Sequence, residues 1–120
     1  YQARFGILLD MVGASGAEFP MEGTSMVFAP AVVKKIWAVA RGLGLSKFFS
    51  DNEESGQLID DHLYINRQAG IPVIDIIDYD GGRGGFPSSW HTVGDTLDKI
   101  DKSTLAAVGR TVLAVVYQEK

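Results

Sequence analysis

Residues 5–12, Phe5-Gly6-Ile7-Leu8-Leu9-Asp10-Met11-Val12, form an almost unbroken apolar run with one carboxylate near its end. A run of this length without polar alternation suits a strand buried on both faces, as in a sheet covered by helices. A second run, Ile71-Pro72-Val73-Ile74-Asp75-Ile76-Ile77, is interrupted only by Asp75. Between them Pro30 suits a first helical turn. Val32, Val33, Ile36, Trp37, Ala40 and Leu43 follow at helical spacing, with Gly42 and Gly44 as the stop. Toward the end, Asp101 is placed to cap a long helix whose Leu105, Val108, Val112, Val115 and Val116 fall on one apolar stripe. Buried strands alternating with helices predict an α/β fold, a three-layer α/β/α sandwich with a mixed, largely parallel sheet. A strand that opens a chain this abruptly needs neighbours. With Tyr1 in place of an initiator Met, the expectation is a cut or processed start and a fold that continues upstream.

The remaining segments read as connections. Residues 13–23 are rich in Gly, Ser and Glu and predict a loop. Phe48 and Phe49 predict a short strand or buried turn, and Asp51–Gly56 a polar loop. Asp60-Asp61-His62 opens a short helical segment ending at Gly70, which either aspartate could cap. Residues 78–89 form a glycine-loaded loop leading into Trp90-His91-Thr92. There is no repeat and no linker, so residues 1–120 read as one domain or part of one.

Composition excludes several classes. Hydrophobic residues make up 46% and charged residues 22%, which argues against disorder. A net charge of -4 gives no electrostatic footprint for nucleic acid. The absence of cysteine rules out disulfides, thiolate metal sites and cysteine nucleophiles. No apolar run reaches the roughly 18 residues that span a bilayer.

Three places set titratable groups beside apolar structure: Asp10 at the end of the first strand, Asp60-Asp61-His62, and His91 after the glycine loop. Ligands in α/β sheets bind beyond the carboxyl ends of strands. Aspartate and histidine together suit a divalent ion, zinc above all. Each group also has a bland reading. Asp10 could be a loop hydrogen bonder, His62 part of a helix start, and His91 a packed surface histidine. Asp75 is harder to dismiss, because a carboxylate inside an apolar strand is costly unless paired. The run Gly81-Gly82-Arg83-Gly84-Gly85 lacks the Lys-Ser/Thr of a phosphate loop and reads instead as backbone passing close to a pocket. Trp37, at helical spacing, reads as core; Trp90, beside His91, as a pocket wall.

Those same residues resemble metallopeptidase family twenty-eight, which unites zinc aminopeptidases and animal-type glutaminyl cyclases. LLDMVG (8–13), DDH (60–62), GIPVIDII (70–77) and WHTVGDTLDKID (90–101) occur in the family's order. The resemblance covers nearly the whole chain from Phe5 and matches the C-terminal half of the catalytic domain. The missing N-terminal half usually brings another Asp and a Glu-Glu pair. The resemblance implies a zinc-ligand role for His91. It implies for Asp10 either a second-metal ligand, as in two-zinc aminopeptidases, or a buried hydrogen-bonding acid, as in one-zinc cyclases. Asp60 matches that acid's partner in cyclases, where aminopeptidases more often show Ser. Trp90 matches a wall of the cyclase substrate pocket. Asp61 and His62 match a pair that orders the loop behind the site. Asp75 departs from the pattern, since animal cyclases carry His at that pocket position.

The leading expectation is a zinc-dependent glutaminyl-peptide cyclotransferase acting on peptides with a free N-terminus. The alternatives are a two-zinc aminopeptidase and a non-catalytic binding domain on the same fold. By resemblance the protein is expected to be periplasmic or secreted. Asp10 and Asp60 are expected to meet and share a proton, and the remaining zinc ligands to come from outside this segment.

Overall fold

The two apolar runs become two strands. β1 (Gly6–Asp10) and β2 (Val73–Ile77) pair in parallel, with Gly6 opposite Val73, Leu8 opposite Asp75 and Asp10 opposite Ile77. They come from a computed structural model that describes residues 1–52 and 55–119; Glu53 and Glu54 of the expected polar loop lie outside the described residues. The order between the strands is α1 (Gly23–Phe28), α2 (Pro30–Gly42), α3 (Asp61–Tyr64) and a π-helical turn (Ile65–Ala69); α4 (Lys102–Gln118) closes the chain.

Alternation along β2 sorts its side chains between two faces. Ile74 and Ile76 join Val33, Ile36 and Trp37 of α2 and Ala107, Val108 and Val115 of α4 in one core. Asp75 points the other way, toward Ser25 of α1 and His62 of α3. Helices therefore lie on both faces of the sheet, in three layers. Trp37 is core, as its spacing predicts: it is 2% exposed, meets Phe49 edge-on at 5.2 Å and donates from Nε1 to the Ser50 carbonyl at 2.8 Å. Phe48 and Phe49 form a buried turn, with Phe49 bridged to Phe19.

The two sheet edges differ. On the outer side of β2, the Val73 N–H donates to Asn66 Oδ1 (3.1 Å) and its carbonyl accepts from Asn66 Nδ2 (2.7 Å). The next outward donor, the Asp75 N–H, is taken by Ser25 Oγ at 2.9 Å. Side chains thus close that edge. No strand among the described residues lies on the far side of β1. Leu9 is 45% exposed, so β1 is not buried on both faces as its composition predicts. An apolar run reports what a strand is suited to cover, and here nothing in the described residues covers that position.

Two helices also depart from the sequence reading. The sequence reading assigns no helix to residues 23–28, because Gly-Thr-Ser has no apolar period, yet α1 forms there. Glu22 caps it, its carboxylate accepting from the Thr24 and Ser25 N–H groups that a helix start leaves without partners. Gly23 is required at this start: a Cβ would lie 2.3 Å from the Gly56 carbonyl oxygen. In α4, Asp101 caps as expected, but the buried face is rotated from the predicted stripe. Val108 and Val115 are buried, whereas Leu105 is 43% and Val116 60% exposed. Thr104 and Thr111 take the inner places because their hydroxyls find carbonyls, Ala14 O and Ala107 O, each at 2.9 Å.

Candidate active site

The carboxyl end of β1, the start of α3 and the loop after β2 converge on a cleft of about 480 Å³. Asp10, Met11, Asp60, Phe86, Trp90 and His91 are among its walls. This is the end of a parallel sheet at which binding sites form. Asp10 gets there as the last residue of β1, and Asp60 as the N-cap of α3, its Oδ1 accepting the Asp61 N–H at 2.8 Å. Trp90 and His91 arrive on the loop after β2. That loop is folded back by the Asp80–Gly85 bridge and by Arg83, whose Nη2 lies 2.9 Å from buried Asp78 Oδ1.

Met11 and His91 are the non-glycine residues with positive φ among those described, at 53° and 54°. Side chains with a Cβ occupy this region only where surrounding structure holds them, and such positions gather at functional sites. Each directly follows a candidate site residue and turns the chain at the cleft. The His91 ring stacks on Trp90 with centroids 4.1 Å apart and planes at 18°. Trp90 rests in turn on Phe86 at 4.7 Å, and Phe86 meets Tyr79 edge-on. The result is an aromatic wall with Trp90 42% exposed and an imidazole at its end.

The acids form the opposite side. The register puts Asp10 and Asp75 on the same face of the sheet, and the charge of Asp60 acts on both. Burial, then a hydrogen bond and the charge from Asp60, push Asp10 up to about 6. Burial, then the charges of Asp60, Asp10 and Glu22, push Asp75 up to about 8. Three ionised carboxylates would contain no donor among them. Protonation relieves both the repulsion and the missing hydrogen bond. Asp10 and Asp60, expected to meet, both line the cleft, and Asp60 is among the causes that raise the Asp10 carboxyl. Asp75 does not line the cleft; it lies beneath it, wholly buried, with neither oxygen reached by a donor from the described residues.

Asp61 is exposed and outside the cleft, while His62 is fully buried behind it. His62 Nε2 lies 2.8 Å from Glu22 Oε2, and Nδ1 lies 3.7 Å from Asp75 Oδ2. Glu22 is absent from the sequence reading and is the centre of this network. Its burial alone would raise its carboxyl, but hydrogen bonds from His62, Ser25 and Leu58 hold it down at about 2. The only signal was a glutamate just before Gly-Thr-Ser, a weak one because glutamate is not a favoured cap.

Imidazole and carboxylate are the donors that zinc takes. From this chain the cleft offers His91 and the acids Asp10 and Asp60. No three His, Asp or Glu side chains among the described residues are gathered into a metal-binding group. The residues present therefore fit part of a zinc site, since catalytic zinc keeps about three protein ligands.

Known proteins place this geometry. The model of peptidase family M28 matches residues 1–116. Bovine (Bos taurus) glutaminyl-peptide cyclotransferase is 28% identical over 93% of this chain and 31% of its own length. Two solved structures from Bacteroides thetaiotaomicron superpose on the chain over its whole length. A glutaminyl cyclase bound to N-acetylhistamine does so at 53% identity and TM-score 0.96, with 40% of that chain covered. A leucine aminopeptidase precursor does so at 52% identity and TM-score 0.92, with 39% covered. The chain thus spans about a third of the curated relative and about two-fifths of these structures. Its strands and helices match part of the fold of glutaminyl cyclases and zinc-dependent exopeptidases, and the chain belongs to peptidase family M28.

Proposed function

We propose that residues 1–120 form the C-terminal part of the catalytic domain of a zinc-dependent glutaminyl-peptide cyclotransferase, working in the periplasm or outside the cell. The observation that carries this reading is that Asp10 and Asp60 line one cleft and that Asp60, after burial, raises the Asp10 carboxyl. An ion ligand must be free of its proton, whereas this pair is arranged to share one. The aromatic wall of Phe86, Trp90 and His91 lines the same cleft, and a peptide's first side chain would pack beside the partly exposed indole.

The reaction converts N-terminal glutamine to pyroglutamate. The α-amine nitrogen bonds to the side-chain amide carbon, the carbon–nitrogen bond of that amide breaks, and ammonia leaves with a proton taken from the amine. The nucleophile belongs to the substrate, so the protein mainly orients it. His91 would hold the zinc together with carboxylates from outside this segment, and that ion would polarise the amide carbonyl. Trp90 positions the glutamine side chain. Asp60 and Asp10 hold one proton between them within reach of the departing nitrogen.

A second reading, a zinc aminopeptidase, is favoured by Asp75. The acid at that position departs from the histidine of animal cyclases, and a protein named as an aminopeptidase is 52% identical. Incubating the complete enzyme with a glutamine-initiated peptide separates the two. Loss of ammonia at constant peptide length supports cyclisation; release of a free N-terminal amino acid assigns the aminopeptidase.

A further inference from the structure

We propose that Glu22 is a positioning residue for the acid cluster: its buried hydrogen bond fixes His62 as the Nε2–H tautomer, and the Nδ1 lone pair accepts the carboxylic hydrogen of Asp75. The inference deepens the cyclase reading and, in its activity arm alone, rests on it.

Glu22 is wholly buried and takes hydrogen bonds from the Thr24, Ser25 and Leu58 N–H groups and the Ser25 hydroxyl, at 2.7–2.8 Å. A carboxylate supplied with this many donors is an acceptor only. Its contact with His62 Nε2, at 2.8 Å, therefore requires the hydrogen to sit on that nitrogen. In a neutral ring this leaves Nδ1 as an acceptor. Nδ1 is buried and has no hydrogen-bond partner among the described residues, and neither do the two oxygens of Asp75. Nδ1 faces Asp75 Oδ2 across 3.7 Å, longer than a hydrogen bond, and a shift of under about 1 Å would close it. The acceptor on one side and an acid on the other complete each other's missing bond.

The alternative is an imidazolium between two carboxylates. It would leave Asp75 ionised while facing Asp10 from β1 and Asp60 from the start of α3, with Glu22 behind the ring. Three like charges on one buried face are what the neutral arrangement avoids. The same carboxylate also holds Leu58, two residues before Asp60, so one buried group sets both the loop that carries Asp60 and the hydrogen beneath it.

The test is 15N NMR of His62 in the full chain, with an assay of ring closure beside it. The expected spectrum, recorded near neutral pH, has a protonated Nε2 and a bare Nδ1. In Glu22→Gln the amide N–H₂ can donate to Nε2. With that amide turned to the ring, Nδ1 gains the hydrogen and the same spectrum reads the change. Because Glu22→Gln also disturbs the cap of α1, Asp75→Asn provides a second variant. Its amide N–H₂ replaces the acid as donor and should keep Nδ1 bare. A protonated Nδ1 in the unmutated chain, either as the other tautomer or as imidazolium, overturns the proposal. So does a folded Asp75→Asn chain in which Nδ1 carries the hydrogen. If the spectra are as expected and no ring closure is detected, the cyclase reading fails and the tautomer assignment stands.

Discussion

Asparagine at position 75 keeps the shape of the side chain and removes its acid. In the native fold the Asp75 carboxyl is raised from 3.8 to about 8, chiefly by burial. The sign follows from which state holds the proton. Between about pH 4 and pH 8 the folded chain keeps it and the unfolded chain does not, so Asp75 makes stability fall as pH rises through this window, with no further loss above it. One such proton gives a slope of about 1.4 kcal/mol per pH unit. Asp10, raised to about 6, adds to the slope only at the acid end, and Glu22, lowered to about 2, changes stability only in strong acid. From pH 6 to pH 8 Asp75 alone contributes a fall of about 2–3 kcal/mol, read as the difference between the two chains, since other groups are common to both. Urea unfolding followed by tryptophan fluorescence at pH 6, 7 and 8, in chelator, should show the unmutated chain losing that much more stability than Asp75→Asn. Parallel lines for the two chains would refute the reasoning, because the buried acid would then not be the group that titrates.

His91→Ala in the complete enzyme should abolish zinc binding and activity while leaving the melting temperature of the metal-free protein within a few degrees, since the ring lies on an exposed loop; unchanged zinc content on metal analysis would remove His91 from the ligand set. Asn66→Ala strips three buried hydrogen bonds, to the His62 carbonyl and to both backbone groups of Val73, and should cost about 2–4 kcal/mol in the same urea assay. A loss under about 0.5 kcal/mol would mean the clamp on β2 is dispensable.

Much of this architecture could be read from local pattern. The two apolar runs became the strands, Pro30 opened α2, and Asp101 capped α4, because each depends on neighbours in sequence. What escaped depends on partners far along the chain. Glu22 looks like loop until His62 and Leu58 fold onto it. Thr104 and Thr111 look like surface until their hydroxyls find buried carbonyls, and with them inside the helix turns Leu105 and Val116 outward. That Asp10 and Asp60 share one cleft could be expected only through the family resemblance, since no spacing rule joins a strand end to a helix cap across an intervening pair of helices.

The unequal edges of the sheet also decide how this segment behaves in a tube. Asn66 and Ser25 blunt the β2 side, but β1 leaves a row of backbone donors and acceptors open beside the exposed Leu9. Such a row is a template for another strand, so the 120 residues handled alone are set to self-associate by edge pairing, increasingly so as concentration rises. Gly6 directs its N–H at Pro72 of the β2 segment. By alternation Leu9 directs its own N–H outward. A proline at Leu9 would thus silence the edge without removing a bond from the existing ladder.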